Sequence, residues 1–279
     1  MNALVLGGGG PVGASWTAAL LDGLGAAGLP LGESDAVVGT SAGAVVGAWL
    51  TIQPDGLPEL PKRMRARATW HADNARSGRG DKSLLQRMAA GSGRDSDSAR
   101  SIAQSAIAAI PPVSADEAEA LWKAALPDGA WPRQLRAVAV NADTGLAHAW
   151  SAQDGISLAV AVSCSTAAPG AAPPVAVADS VWVDGGVRSG TNADLLIDFD
   201  GHESGPDKVL IVAPMPSDDL AREQAILHER GYRVRVVTAA PFYTAPTDLL
   251  DPHFVDVAAT AGASQARDIA ADLRTWWSD

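Results

Sequence analysis

The chain has 279 residues, 47% of them hydrophobic and 19% charged, a profile that excludes a disordered polymer and leaves room for one large domain or two small ones. A net charge of −11 argues against nucleic acid as the main partner, and a single cysteine, Cys164, excludes an internal disulfide and any cysteine-based zinc site. The N-terminus carries no basic leader and no apolar run reaches the roughly 20 residues of a membrane span, so a soluble, cytoplasmic protein is expected.

Taken in order, Ala3-Leu4-Val5-Leu6 is a short apolar strand ended by Gly7-Gly8-Gly9-Gly10. Residues from Ala14 to Ala27 then place Trp16, Leu20, Leu21 and Leu24 at helical spacing, closed by Gly28. Gly8, Gly10 and Gly13 satisfy the spacing of a dinucleotide-binding loop. That site needs an acid at the C-terminal end of the next strand, whereas Glu33 and Asp35 precede the strand Ala36–Val38. A non-catalytic nucleotide- or ligand-binding module stays open as an alternative. The strand leads instead into Gly39-Thr40-Ser41-Ala42-Gly43 and a helix from Ala44 to Ile52, the pattern of a nucleophile elbow. Small residues two before and two after the serine let strand and helix approach, and the helix N-terminus brings unpaired N–H groups behind it. Alone, five residues of this kind are as readily an ordinary glycine-bounded turn.

These two glycine-rich stretches, Gly8-Gly9-Gly10-Pro11-Val12-Gly13 and Gly39-Thr40-Ser41-Ala42-Gly43, resemble the patatin-like phospholipase family, and the resemblance calls for a later Asp-Gly-Gly. Asp184-Gly185-Gly186 supplies it, after the strand Ser180–Val183. Ser163-Cys164-Ser165, Pro173-Pro174-Val175 and Asn192 are further points of likeness. The resemblance implies a three-layer α/β/α fold with a mostly parallel central sheet. It implies a Ser41–Asp184 dyad without histidine, an oxyanion hole from the amides of Gly8, Gly9 and Gly10 aided by Ala42, no cofactor or metal, and a lipid or other carboxylic ester as substrate. Members often carry Arg or Lys where this chain has Val12, so phospholipid, neutral lipid ester, small ester and thioester stand level as substrates. A Ser-Asp-His triad with His253 as base is the alternative hydrolase reading; His202 and His228 read as solvated surface, and Cys164 as a small buried residue.

Between these motifs, residues 54–129 read as a helical insertion over the active face within a single domain spanning 1–279. Helices are expected over Leu84–Ala90, Ser98–Ile110 and, behind a Ser114/Glu117 capping box, up to Leu126. From Lys62 to Arg100 ten basic residues face four acids, a local excess of about +6 that could meet an anionic membrane, with Trp70 as an interfacial anchor. Further on, Leu135–Val140 and Leu146–Trp150 read as a hairpin, and Gly155–Ser163 as a helix capped by Asp154. Lys208–Ala213 and Val234–Thr238 read as strands around a helix over Asp218–Arg230, and a last helical region from Asp251-Pro252 to Trp277 could break at Gly262.

Overall fold

The computed structural model describes residues 2–76, 81–90, 95–199, 208–215, 217–240 and 243–278. The strands are β1 (Asn2–Leu6), β2 (Ala36–Thr40), β3 (Val113–Ser114), β4 (Leu135–Asn141), β5 (Ala147–Trp150), β6 (Val175–Val177), β7 (Ser180–Asp184), β8 (Lys208–Ala213) and β9 (Arg233–Thr238). The helices are α1 (Gly10–Ala26), α2 (Ala42–Ile52), α3 (Leu60–Arg76), α4 (Lys82–Ala89), α5 (Ser96–Ala109), α6 (Ala115–Lys123), α7 (Leu158–Ser165), α8 (Asp219–Glu229) and α9 (Val255–Ser278). All strands join one sheet in the order β3-β6-β7-β4-β2-β1-β8-β9, with β5 also on β4. The centre, β4-β2-β1-β8-β9, is parallel throughout.

Alternation along the strands builds the two outer layers. Leu4, Leu6, Val37, Leu135, Leu210 and Val212 pack into one large core with α1, α2, α6, α7 and α9. Their neighbours Ala3, Val5, Val38, Val209 and Ile211 face the other way, onto α8 and a short helical turn at Ala193–Asp198. The α/β/α architecture expected from the sequence is the one observed. Among the described residues no helix is long and apolar enough to cross a membrane.

One pairing pattern positions the site. Val138 of β4 pairs with Thr40 of β2 and with Ala149 of β5, while the next residue, Ala139, pairs with Asp184 of β7 and with His148 of β5. A strand has two edges, and β5 holds one of them continuously. β2 and β7 therefore share the other edge, in opposite directions, and their C-terminal ends meet between Val138 and Ala139.

Most expected elements occur with small shifts. The first helix starts at Gly10 rather than Ala14, with Pro11 in its first turn, where the missing N–H has no intrahelical partner to lose. The Ser114/Glu117 capping box forms, but α6 stops at Lys123, ahead of Pro127. Asp154 does not cap α7; Ser157 does, and Asp154 instead accepts from Ser151 and His148. β3 and β6, of two and three residues, have too little sequence to show a period. Residues 77–80, 91–94 and His202 lie outside the described residues. In the stretch 54–129, Leu57, Leu60, Met64, Ala68 and Trp122 belong to the same core as the sheet.

Helix α9 runs unbroken through Gly262, because there it crosses α1: a Cβ at Gly262 would stand 2.2 Å from the Trp16 carbonyl oxygen. Gly262→Val is expected to destabilise the fold by about 1–3 kcal/mol through overpacking. Gly25→Ala, on α1 with nothing within 4 Å of the added carbon, is expected to stabilise it by up to about 1 kcal/mol. Urea denaturation midpoints check both; a neutral Gly262→Val would contradict the close crossing.

Candidate active site

Ser41 sits between the last residue of β2 and the first of α2 at φ 53°, ψ −116°, a conformation that non-glycine residues rarely adopt. The sequence makes the turn possible by removing side chains. A Cβ at Gly43 would lie 1.9 Å from the Leu6 carbonyl oxygen, and one at Gly39 would lie 2.5 Å from the Ala44 Cα. The Ser41 amide donates to Ser165 Oγ at 2.9 Å, which ties the turn to the end of α7.

The junction on β4 delivers Asp184 to this serine. Ser41 Oγ donates to Asp184 Oδ2 at 2.7 Å, and the Gly186 amide donates to Oδ1 at 2.7 Å. Asp184 has no solvent exposure. Burial pushes its carboxyl up to about 7; the Gly186 and Ser41 hydrogen bonds oppose that only in part. Gly185 passes so close to β4 that a Cβ would meet the Val138 carbonyl oxygen at 2.6 Å.

Gly8, Gly9 and Gly10 line a cavity together with Ser41 and Asp184. The Gly8 amide is already engaged: it donates to the Gly190 carbonyl at 2.8 Å. Of the amides expected to form an oxyanion hole, that of Gly8 thus has an acceptor within the chain. The amides of Gly9, Gly10 and Ala42, at the starts of α1 and α2, have no acceptor among the described residues. Gly10 has φ +61°, and a Cβ there would meet the Leu249 carbonyl oxygen at 2.6 Å, so glycine is required.

Sequence reading missed the scaffold behind the pair. Buried Asn192 donates to Thr40 Oγ1 at 3.2 Å, to the Gly185 carbonyl at 3.1 Å and to the Ser189 carbonyl at 2.8 Å, clasping the end of β2 to the turn after β7. Arg188 donates to the Asn192 side-chain oxygen Oδ1 at 2.8 Å and pairs with Asp194. Buried Glu223 accepts from Thr191 Oγ1 and, at 2.9 Å, from the Ala193 amide, and burial raises its carboxyl. Glu223 stands three residues after Leu220 and four before Leu227, so it lies on the buried face of α8, and a carboxylate on that stripe was the signal the sequence offered.

Two cavities meet at Ser41. The one with the glycine loop is largely apolar, walled by Leu85, Met88, Met215 and Leu249. The other is walled by Val45, Met64, Arg67, His71 and Trp122. Helices α3 and α4 thus contribute directly to the walls. Val12 is fully buried in the main core and brings no charge to either cavity. A groove of about 550 Å³, which shares His71, Leu85 and Leu250 with the walls of these cavities, takes in His253 but not Ser41. The His253 ring is exposed and bonds to Asp251 at 2.7 Å, and His228 is exposed on α8. The hydroxyl of Ser41 goes to a carboxylate with no histidine between them. Cys164 is buried and its thiol is pushed up to about 12, so it is no nucleophile at neutral pH. Asp35 accepts from the Asn2 amide at the opposite end of the sheet from the glycine loop, which leaves a dinucleotide ribose without its acidic partner.

The raised carboxyl has a thermodynamic consequence. Between about pH 4 and 7 the folded protein keeps a proton on Asp184 that the unfolded chain, with a value near 3.8, has lost. Stability from this group is therefore intact at low pH and falls as pH rises through that window, by on the order of 2–4 kcal/mol. Asp184→Asn is expected to raise the melting temperature over the wild type at pH 8 and to bring little gain at pH 4. Equal gains at both pH values would mean that the carboxyl is not held protonated.

A search of curated proteins returned no match for this chain. The family model described as patatin-like phospholipase matches residues 4–197, well over half of the chain, from β1 through the glycine loop, the Ser41 elbow and Asp184 to the turn after Asn192. With that span, and with its α/β/α fold, the chain belongs to the patatin-like phospholipase family, a family of lipid acyl hydrolases.

Proposed function

We propose that this protein is a serine esterase that cleaves lipid or other carboxylic esters through an acyl-enzyme, with Ser41 as nucleophile and Asp184 as general base. The observation that carries the reading is the 2.7 Å hydrogen bond from Ser41 Oγ to a fully buried carboxylate. A serine hydroxyl needs a base, and a carboxyl raised to about 7 is a far better one than a solvated aspartate.

In the first half-reaction Ser41 Oγ bonds to the ester carbonyl carbon as its proton passes to Asp184 Oδ2. Negative charge collects on the carbonyl oxygen, and the amides of Gly9, Gly10 and Ala42 are the donors at hand for it. Collapse breaks the ester C–O bond, and the leaving oxygen takes the proton from Asp184. Water then attacks the acyl-serine, giving its proton to Asp184; release of the acid returns that proton to Ser41. The apolar walls beside the glycine loop favour the uncharged side of an ester.

Residues 54–129 serve in this reading as a cover of a single domain. The basic run contributes less to a membrane face than its charge suggests. Arg65, Arg76 and Arg100 pair with Asp256, Asp73 and Asp97, and Arg63 lies over Trp49.

Ser41→Ala and Asp184→Asn are each expected to lower ester hydrolysis by about 10³-fold or more, and a fluorophosphonate probe should label Ser41 alone. For the wild type, kcat/KM should rise with pH through about 7 as Asp184 ionises. Full activity in Asp184→Asn, or a His253→Ala variant that is inactive, would sink the dyad.

A further inference from the structure

The cavity on the α3 side of Ser41 contains a charge that the hydrolase reading does not use. Arg67 lies with its guanidinium 4.5 Å from the centre of the Trp70 ring and 4.7 Å from the centre of the Trp122 ring. It has no hydrogen bond or ion pair among the described residues. Its neighbours on the insertion do differently, since Arg65, Arg76 and Arg100 each pair with an aspartate. The cavity that Arg67 and Ser41 share has no Asp or Glu in its wall. Its other ionisable group, His71, is neutral: burial and the nearby Arg67 push it down to about 3, and its Nδ1 donates to the Ala171 carbonyl at 3.2 Å. Burial lowers Arg67 only to about 10, so it keeps its charge at neutral pH. Trp122 is 3% exposed, lines the same cavity, and has a buried Nε1–H without an acceptor.

These facts fit together. Two indole faces satisfy a guanidinium electrostatically but leave its in-plane N–H donors unused. A half-buried cation with idle donors, next to a second, buried idle donor, is well placed to take an acceptor. A planar fork with an added N–H is suited to an oxyacid anion. Resting on the proposed hydrolase, we infer that Arg67, braced by Trp70 and Trp122, is the specificity residue for an anionic oxyacid group, phosphate or carboxylate, carried by the ester that Ser41 cleaves. The apolar walls beside the glycine loop and the Arg67 side of Ser41 then face opposite ends of one amphiphilic ester.

The test compares wild type, Arg67→Gln and the charge-keeping Arg67→Lys on two matched pairs of esters. One pair is p-nitrophenyl pentanoate against mono-p-nitrophenyl glutarate, which puts a carboxylate on the acyl side. The other is a monoacylglycerol against the same acylglycerol phosphate, which puts a phosphate on the alcohol side. The quantity read is the ratio of kcat/KM for the anionic ester to that for the neutral one. In at least one pair the wild-type ratio should exceed one, fall by about tenfold or more in Arg67→Gln through KM, and recover in part in Arg67→Lys. The pair that responds tells phosphate from carboxylate. A merely structural arginine would lower both rates together; an unchanged ratio, or a wild type preferring the neutral ester in both pairs, overturns the inference and leaves the hydrolase intact. If wild type cleaves none of the esters, binding decides: hexyl phosphate and hexanoate are titrated into Ser41→Ala, with and without Arg67→Gln, by tryptophan fluorescence. Binding lost with Arg67 sustains the anion site while the hydrolase reading falls; no binding, or binding indifferent to Arg67, overturns the site as well.

Discussion

The shared edge of β4 is the constraint on which the site depends. Two strands running in opposite directions end head to head on it, with Thr40 beside Val138 and Asp184 beside Ala139. A serine one residue beyond the first strand and a carboxylate at the end of the second are then within hydrogen-bond reach with no further device. The approach is tight enough to dictate composition. Gly39, Gly43 and Gly185 each stand where a Cβ would strike backbone. The strained Ser41 backbone is held from three sides, by β2, by α2 and by the Ser165 hydroxyl, so its dihedral strain falls on a well-packed fold.

Polar groups under this junction are handled in two ways. The scaffold is satisfied locally: Asn192 directs its amide to Thr40, Gly185 and Ser189, and Arg188 pairs with Asp194. The three bonds from the Asn192 amide tie down the turn that carries Asp184. The groups at the reacting centre are left short of partners. Asp184 is buried with two donors and no cation, the amides of Gly9, Gly10 and Ala42 lack acceptors among the described residues, and Arg67 has aromatic faces but no anion. Idle donors around a cavity favour a ligand that arrives with negative charge, formed in the reaction or already present.

The helices from the stretch 54–129 belong to this division of labour. Met64, Arg67 and His71, at i, i+3 and i+7 on one face of α3, wall the cavity beside Ser41 together with Trp122 of α6, and Met64 and Trp122 also belong to the main core, so the same surface supports the fold and lines the site. In sequence this stretch was the least informative, because its basic residues read as a charged surface. Pairing with Asp73, Asp97 and Asp256 disposes of several of them, and the indoles of Trp70 and Trp122 leave Arg67 only partly exposed.

The layers are legible in the amino-acid order alone, and the pairing of Ser41 with Asp184 was expected from the resemblance that their two motifs carry. Alternating apolar strands and 3.6-periodic helices have only a few ways to bury their faces, and Gly39 to Gly43 and Asp184 to Gly186 are short motifs whose geometry is local. The Ser114/Glu117 cap is legible for the same reason, since it spans four residues. Which glycine amides stay idle is settled in three dimensions, because the partner of Gly8 is Gly190, far along the chain. Packing likewise makes Gly262 a helix crossing rather than a break, sets Asn192 and Glu223 as braces for the site, and brings Arg67 to the wall of a cavity that Ser41 also lines. The physical reason is the same in each case: these roles depend on what stands opposite in space, and no periodicity in the chain encodes a contact made on the order of 150 residues away.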